Sequence, residues 1–321
     1  MRVGIIGCSI NGAYLAYKLA KSGQDVTVFE GKKEPGGKAC SGMVSERIWD
    51  FIPRNEELIE NRIGSVEIRF PRKKITADFK PEMLVLNRAG LDRYVAGLAE
   101  SAGAKIKFGH KVIKIISFKR SKPHLVADTG GRTVVQEFDR IIGCDGANSH
   151  MREHLKIGKP DFRVGIYANL NKKSAKNVVE VTPTRNGFKW KIPRGKTVEV
   201  GALEKTENIR KIFRRAKAAG MTSAIVPERL AFSKDRRFAL CGDAAGLTKP
   251  WSGGGIIWGM TAADLLAESK LNVAKYNRKL EKHFGPKIFF SNIARRAVFL
   301  IGTKMPQLIP KNVYIDSDWL Y

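Results

Sequence analysis

Residues 3–12 read Val-Gly-Ile-Ile-Gly-Cys-Ser-Ile-Asn-Gly, and this stretch decides the fold. The apolar run Val3–Ile6 predicts a buried strand, and apolar residues at helical spacing follow from Gly12 to Lys21. Gly23 ends that helix, and the β-branched and aromatic run Asp25–Glu30 predicts a second strand. The first thirty residues therefore predict a β-α-β unit.

The turn between the first strand and the helix has the pattern of a dinucleotide-binding loop. Gly7 permits a tight turn, and Ser9, where a second glycine is usual, is small enough for backbone to approach a pyrophosphate. Gly12 allows the helix to pack closely on the strand, and the helix N-terminus offers free N–H groups to phosphates. Glu30 ends the second strand, placed to accept hydrogen bonds from an adenosine ribose and to repel a 2′-phosphate. FAD or NAD is therefore favoured over NADP.

The composition fits a folded protein with an unusual charge. The 321 residues, 43% of them hydrophobic, suffice for one large core or two domains that share an interface. Lys and Arg outnumber Asp and Glu by 58 to 31, which gives a formal net charge of +27. This charge would attract a polyanionic partner, such as nucleic acid, an anionic membrane surface or a phosphorylated substrate. It is equally consistent with a generally basic protein that has no such partner.

The four cysteines indicate neither disulfides nor a metal site. Cys8, Cys40, Cys144 and Cys241 form no CxxC pair and no zinc-ligand spacing with the five histidines. The chain lacks an apolar signal segment at its start and an apolar run of about eighteen residues. We therefore expect no metal and a cytoplasmic protein, soluble or peripheral at the inner face of the membrane.

The rest of the chain predicts an α/β fold with two sheets. The β-α-β unit predicts a Rossmann-type domain with a parallel sheet. Between Asp161 and Ala202 the pattern changes to alternating, aromatic and turn-rich segments, which predict an antiparallel sheet in a second domain. Other predicted strands are Lys105–Phe108, Lys111–Ile116, Arg140–Cys144 and Phe238–Cys241, and predicted helices are Leu91–Ser101, Gly259–Leu271 and Phe284–Gly302. Within the last helix, Lys287–Ile301 either contacts a bilayer through its apolar side or packs as a buried helix, which is the commoner outcome.

Three later motifs occur in the order found in one flavoprotein superfamily. They are Arg88 with Asp92, Gly-Cys-Asp-Gly-Ala-Asn-Ser at 143–149, and Gly-Asp-Ala-Ala-Gly at 242–246. In this order they resemble the two-domain, FAD-dependent oxidoreductases related to hydroxybenzoate hydroxylase. The resemblance implies FAD as cofactor, with Asp243 on the ribityl chain and the glycines at 253–255 beside the isoalloxazine.

Two groups of residues resemble one branch of this superfamily more specifically. That branch is the geranylgeranyl reductases of archaea and photosynthetic organisms, including digeranylgeranylglycerophospholipid reductases. The first group comprises the segments Lys38–Gly42, Lys249–Ile256 and Gly259-Met260, and the second is Phe-Lys-Trp-Lys-Ile-Pro at 188–193 with Gly201. This chain departs from the family at Ile192, where the family has phenylalanine, and at Leu203, where it has glycine.

The resemblance, with the loop above, implies a set of site residues. Cofactor contacts are expected at Gly7, Ser9, Asn11, Gly12, Glu30, Cys40, Ser41, Gly42, Arg88, Val112, Asp243, Gly254, Gly255 and Ile256. Substrate contacts are expected at Phe188, Trp190, Pro193 and Trp251, and catalytic roles at Cys40, Trp190 and Trp258. Aromatic faces suit a reaction that builds positive charge on an alkene carbon, because each ring stabilises a cation by about 0.5–2 kcal/mol.

The predicted domains are discontinuous. Residues 1–45, 85–155 and 231–270 form the FAD-binding domain, 46–84 and 156–230 the substrate domain, and 271–321 a C-terminal helical segment. The single dinucleotide motif argues against a dedicated NADPH domain. The electron donor is then a transiently docking NAD(P)H or a ferredoxin-like protein, and an acidic carrier would suit the +27 field.

The implied activity is reduction of C=C bonds in the isoprenoid chains of a membrane lipid or isoprenoid diphosphate by hydride from reduced flavin. Two alternatives stay open. One is a flavin-dependent monooxygenase or halogenase of the same fold, and the other is a basic, nucleic-acid-associated flavoprotein. The sequence has no RNA-binding motif, which argues against a nucleic acid partner.

Overall fold

The computed structural model describes residues 1–209, 220–310 and 312–318. Parts of two predicted segments, residues 210–219 of the substrate domain and 311 and 319–321 of the C-terminal segment, lie outside that range. The strands are β1 Arg2–Ile6, β2 Asp25–Glu30, β3 Met43–Ser45, β4 Ile59–Phe70, β5 Lys73–Leu86, β6 Lys105–Phe108, β7 Lys111–Ile116, β8 His124–Asp128, β9 Thr133–Glu137, β10 Arg140–Gly143, β11 Phe162–Leu170, β12 Val179–Pro183, β13 Phe188–Arg194, β14 Thr197–Glu204, β15 Thr222–Pro227, β16 Phe238–Leu240 and β17 Asn312–Ile315. The α-helices are α1 Ile10–Lys21, α2 Arg88–Ser101, α3 His150–His154, α4 Ile256–Glu268 and α5 Val273–Lys304.

A parallel sheet confirms the Rossmann-type domain. Its strand order is β16-β10-β1-β2-β6, and every neighbouring pair runs parallel. The strands β1, β2 and β16 are apolar and almost fully buried, as expected for a sheet covered on both faces. The helices α1, α2 and α4 pack together beside it, and one continuous core joins them to the sheet.

The second domain is built on a larger, curled sheet. Its order is β15-β11-β14-β13-β12-β4-β5-β17, with β3 added on β5. Most pairs are antiparallel, as the alternating sequence predicts, but β12 pairs with β4 and β17 with β5 in parallel, so the sheet is mixed. In each parallel pair the two strands are far apart in the sequence, so a long connection separates them.

The C-terminal segment is a helix followed by a strand. The helix α5 begins at Val273, eleven residues before the predicted start, and β17 then returns the chain to the substrate sheet. The predicted helix at Gly259–Leu271 begins earlier, at Ile256, directly after the glycines at 253–255. A three-stranded sheet, β7-β8-β9, lies beside the parallel one.

Candidate functional site

The first glycine turn is shaped by two positions that exclude a side chain. Gly7 has φ of +96°, and a Cβ there would lie 2.6 Å from the carbonyl oxygen of Cys144. A Cβ on Gly12 would overlap the carbonyl oxygen of Gly7. The turn therefore holds the start of α1 tight against the ends of β1 and β10. No acidic side chain lies in the first turn of α1 itself, and the N–H of Ile10 at the start of this helix is accepted by Asp92 of α2.

Glu30 ties the end of β2 to this turn. One carboxylate oxygen accepts the N–H of Cys8 at 2.8 Å and the other accepts the N–H of Lys32 at 3.0 Å. Each carboxylate oxygen has a second lone pair, so a ribose hydroxyl can still donate to Glu30. Burial, with a smaller effect of Glu30, raises the pKa of Cys8 to about 12. The Cys8 thiol therefore stays protonated and serves as packing.

A buried ion pair supports the same turn from α2. Arg88 Nη2 donates to Asp92 Oδ1 at 2.6 Å, and that oxygen also accepts the N–H of Ile10 at 3.1 Å. Arg88 is 8% exposed and Asp92 fully buried. Burial lowers the pKa of Arg88, but contacts with Cys40 and Asp92 outweigh it and the pKa is raised. Arg88 is therefore a permanent cation that contacts Cys40 on one side and Asp92 on the other.

The late Gly-Asp loop meets the first turn through Asn11. Asn11 Nδ2 donates to the carbonyl oxygen of Gly255 at 3.3 Å, across 244 residues of sequence. Gly242 has φ of +62°, and a Cβ there would lie 2.7 Å from Asn11 Nδ2. A Cβ on Gly259 would overlap the same amide. Two glycines thus make the space in which the Asn11 side chain joins the two loops.

Asp243 lies under the N-terminus of α4. A Cβ on Gly255 would be 3.0 Å from Asp243 Oδ1, and Lys38 Nζ forms an ion pair with Asp243 Oδ2 at 2.7 Å. Gly254 and Ile256, two further predicted cofactor contacts, flank Gly255 at the same helix start. The loop carrying Lys38 and Cys40 is therefore tied to the late Gly-Asp loop.

These features fit a flavin dinucleotide. The glycine cradle at the start of α1 and the Lys38 and Arg88 cations suit a pyrophosphate. In the described part of the chain, Asn11 Oδ1 and Asp92 Oδ2 are buried acceptors without a hydrogen-bond partner. Such orphan acceptors are rare in folded proteins and are typical of sites completed by a ligand or water.

A cavity of about 240 Å³ opens between the two domains. The domain with the parallel sheet contributes Lys38, Cys40 and Arg88, and the curled sheet contributes residues that include Tyr167, Arg194 and Glu199. Of the predicted site residues, the cavity therefore brings Cys40 and Arg88 against strands β11, β13 and β14. None of the three substrate-sheet residues was predicted from the sequence, because each is an ordinary position in an alternating strand.

Tyr167 and Arg194 hold the loop at 40–42 from the substrate side. The Tyr167 hydroxyl accepts the N–H of Cys40 and donates to its carbonyl oxygen, both at 3.4 Å. Arg194 donates to the carbonyl oxygen of Ser41 and pairs with Glu60 at 2.8 Å and Glu199 at 3.0 Å. The position of this loop thus depends on a cation in β13.

Glu199 connects this cluster to the predicted substrate aromatic. It is fully buried and accepts the indole N–H of Trp190 at 2.8 Å. Burial raises the pKa of Glu199, although the Trp190 hydrogen bond and Arg194 act in the opposite direction. Trp190 is therefore not among the residues that line the cavity, but it is hydrogen-bonded to Glu199, which is. Phe188 lies beside Trp190, with ring centroids 5.6 Å apart.

Trp258, predicted from the sequence as a catalytic residue, lies in the core. It is fully buried, donates its indole N–H to the carbonyl oxygen of Asp318 at 3.1 Å, and packs on Phe284 with centroids 5.0 Å apart. The helical period of α4 turns it inward. Trp251 packs edge to face on Trp258 with ring centroids 5.9 Å apart, and it is not among the residues that line the cavity.

The remaining predicted residues occupy supporting positions. Gly42 has φ of +68°, and a Cβ there would overlap the carbonyl oxygen of Leu86, so the loop at 40–42 needs glycine at this point. Val112 is buried on β7 beside Lys111, whose side chain approaches Gly31 after β2. Pro193 is buried next to Arg194.

Comparisons with known proteins agree with the Rossmann-type fold. Residues 5–55 match the model of the NAD(P)-binding Rossmann-like domain. The chain is 23% identical to geranylgeranyl diphosphate reductase of Synechocystis sp., over 93% of this chain and 85% of that protein. It is 25% identical to digeranylgeranylglycerophospholipid reductase of Methanocaldococcus jannaschii, over 86% and 78%.

Two solved structures share the fold. A geranylgeranyl bacteriochlorophyll reductase-like protein from Thermoplasma acidophilum superposes with a TM-score of 0.80 at 18% identity, covering 95% of this chain and 91% of that one. CmlS, a flavin-dependent halogenase, superposes with a TM-score of 0.70 at 17% identity, covering 94% and 62%.

Proposed function

We propose that this chain is an FAD-dependent oxidoreductase similar to the geranylgeranyl reductases, and that it binds FAD and reduces C=C bonds in isoprenoid chains. The substrate class would be an isoprenoid lipid or isoprenoid diphosphate. The reductant that recharges the flavin would be NAD(P)H or a ferredoxin-like protein.

One observation carries the proposal. The cavity that Cys40 and Arg88 border on the FAD-binding side is bordered by Tyr167, Arg194 and Glu199 on the substrate side. A cofactor seated between the first turn and the late loop would thus reach the same space as a substrate entering from the curled sheet. Both reactants need to share such a space for a hydride to pass between them.

FAD, when bound and reduced, supplies a hydride. The chain's own residues would hold the cofactor and position the alkene. Arg88 and Lys38 would neutralise pyrophosphate charge, and Glu30 and Asp243 would accept hydrogen bonds from cofactor hydroxyls. Arg194 would fix the loop at 40–42 through the Ser41 carbonyl oxygen, so that Cys40 keeps its place in the cavity wall.

Reduction of an alkene also needs a proton, and Tyr167 is the hydroxyl donor that we assign to this step. Its hydroxyl lies at the cavity wall, 3.4 Å from both backbone groups of Cys40. Burial raises the pKa of Tyr167, although the Cys40 hydrogen bond opposes this, so the hydroxyl keeps its proton at neutral pH. One carbon of the double bond would gain the hydride, and the other would gain the hydroxyl proton of Tyr167. Solvent would then return a proton to the Tyr167 oxygen.

The deciding experiment measures the cofactor and the product together. Protein purified under mild conditions is extracted and its cofactor identified by mass spectrometry; the flavin is then reduced chemically and geranylgeranyl substrate is added. We expect FAD, and a product heavier than the substrate by two hydrogens for each bond reduced. Tyr167→Phe is expected to keep FAD but lose most product formation, with Tyr17→Phe, on the outer side of α1, as matched control.

A monooxygenase or halogenase is the second candidate, because CmlS shares the fold over most of the chain. The same product analysis separates the candidates. Incorporation of oxygen or halogen into the substrate would favour the second candidate, and protein that takes up no flavin on reconstitution would contradict both.

A further inference from the structure

The helix α5 carries large apolar side chains on the face turned away from the protein. Its inner face is buried through Tyr276, Leu280, Phe284 and Ser291, and Gly302 lies so close to Phe70 of β4 that a Cβ would overlap the ring. The opposite face is expected to be polar, since it faces solvent. This opposite face, which we call the outer face of α5, instead carries Phe289, Phe290, Ile293 and Leu300.

These four side chains are strongly exposed and adjacent. Phe289 is 62% exposed, Phe290 55%, Ile293 51% and Leu300 52%. Phe289 and Ile293 are four residues apart, and Leu300 follows seven residues later, so the three share one side of the helix. The rings of Phe289 and Phe290 contact each other with centroids 5.4 Å apart. Leu308, 63% exposed, extends the apolar surface just beyond the helix end.

The outer face is also basic. From Lys282 to Lys304 the sequence contains no aspartate or glutamate. Arg296 and Lys304 are exposed and fall on the same side as Ile293 and Leu300, at three- and four-residue spacings. Lys282 precedes the phenylalanines on that side, and it is exposed too. An apolar strip bordered by cations is the pattern of helices that lie in the headgroup region of an anionic membrane.

We propose that the outer face of α5 docks this protein on an anionic lipid surface, with Phe289, Phe290, Ile293 and Leu300 inserted among the lipids and Arg296 and Lys304 on their headgroups. A second copy of the chain is a poorer occupant, because each molecule carries +27 and a symmetric contact would bring the Arg296 and Lys304 groups of two copies together. No helix in the described residues meets the length and hydropathy of a membrane span, so the contact is interfacial.

Vesicle co-sedimentation of the full chain tests the proposal, with phosphatidylcholine vesicles with and without phosphatidylglycerol. We expect binding to the anionic vesicles that weakens with salt, and little binding to phosphatidylcholine alone. Phe289→Ala and Phe290→Ala should each weaken binding about tenfold. Arg296→Gln and Lys304→Gln should each weaken it about fivefold. The matched control is Phe118→Ala with Lys119→Gln, which changes an equally exposed apolar and basic pair elsewhere.

Three outcomes would overturn the proposal. They are unchanged binding in the α5 variants, equal binding to both kinds of vesicle, and a concentration-dependent dimer in sedimentation velocity that Phe289→Ala abolishes. Flavin content is measured in every variant, so the membrane-docking proposal and the proposed function can be contradicted independently. Vesicle binding by a protein that takes up no flavin would support the docking surface and contradict the proposed function.

Discussion

Asn11 and Gly255 are joined by a hydrogen bond of 3.3 Å although 244 residues separate them. The bond links the N-terminus of α1 to the N-terminus of α4, and the glycines at 242 and 259 leave room only for this amide. The geometry of the candidate site therefore depends on a contact between two loops that lie far apart in the sequence.

Gly259→Ala should displace the Asn11 side chain, because the new Cβ would overlap its amide. We expect a loss of about 1–3 kcal/mol in the free energy of unfolding, with reduced flavin content. Asn11→Ala in the same protein removes the obstacle, so the double variant should recover part of the stability. Chemical denaturation and flavin absorbance measure both effects.

The control for this pair is Gly97→Ala, in the middle of α2, where a Cβ would meet no atom within 4 Å. This change should leave flavin content unaltered and stabilise the protein by about 0.5–1 kcal/mol. A double variant as unstable as Gly259→Ala alone would mean that Asn11 is not what the alanine displaces.

Asp243→Asn should weaken FAD binding by about 10- to 100-fold, since a charged hydrogen-bond acceptor contributes about 1.5–3 kcal/mol. The substitution keeps the size of the side chain but removes the charge that Lys38 neutralises. Fluorescence titration of the flavin-free protein gives the dissociation constant. Asp25→Asn, an exposed acid paired with Lys105, is the control and should bind FAD like the unmodified chain. Equal affinity in both variants would remove Asp243 from the site.

Arg194→Met should destabilise the protein by about 3–5 kcal/mol, because it leaves the fully buried Glu199 without its cation. Adding Glu199→Gln removes the uncompensated charge while retaining an acceptor for the Trp190 indole. The double variant should therefore be more stable than Arg194→Met alone. Thermal unfolding of the four proteins in this cycle measures the coupling, and strictly additive effects would show that the pair does not interact.

Acidification should destabilise the protein partly through His154. Burial lowers the pKa of His154, Arg237 lowers it further, and Asp235 opposes them. The native state therefore binds this proton less readily than the unfolded chain, whose ordinary value is 6.5. The stability that His154 contributes is complete above pH 6.5 and is lost as the pH falls through the lowered pKa.

His154→Gln retains a partner for the Ser117 hydroxyl, which lies 3.1 Å from His154 Nε2, but does not titrate. The melting temperature of this variant should fall less steeply below pH 6.5 than that of the unmodified chain. Parallel curves for the two proteins would assign the acid sensitivity to other groups.

Much of the FAD-binding domain could be predicted from the sequence because its determinants are local. Gly7 and Gly12 are needed by a single turn, and the apolar strands and the Glu30 position follow from short-range spacing. The structure confirms the α/β fold, including the parallel sheet that these elements build. Family motifs then supplied the late loop that contains Asp243.

The cavity could not be predicted in the same way, because one wall comes from the four strands β4, β11, β13 and β14, whose register is set by long-range pairing. Tyr167, Arg194 and Glu199 meet Cys40 only after the curled sheet closes on the FAD-binding domain. The same holds for Trp258, which the sequence predicted as a catalytic aromatic and which packs in the core. The sequence alone determined the glycine turns, because backbone sterics act between near neighbours. The tertiary structure alone decided which side chains share the cavity and which apolar residues of α5 face outward, because burial depends on the whole folded chain.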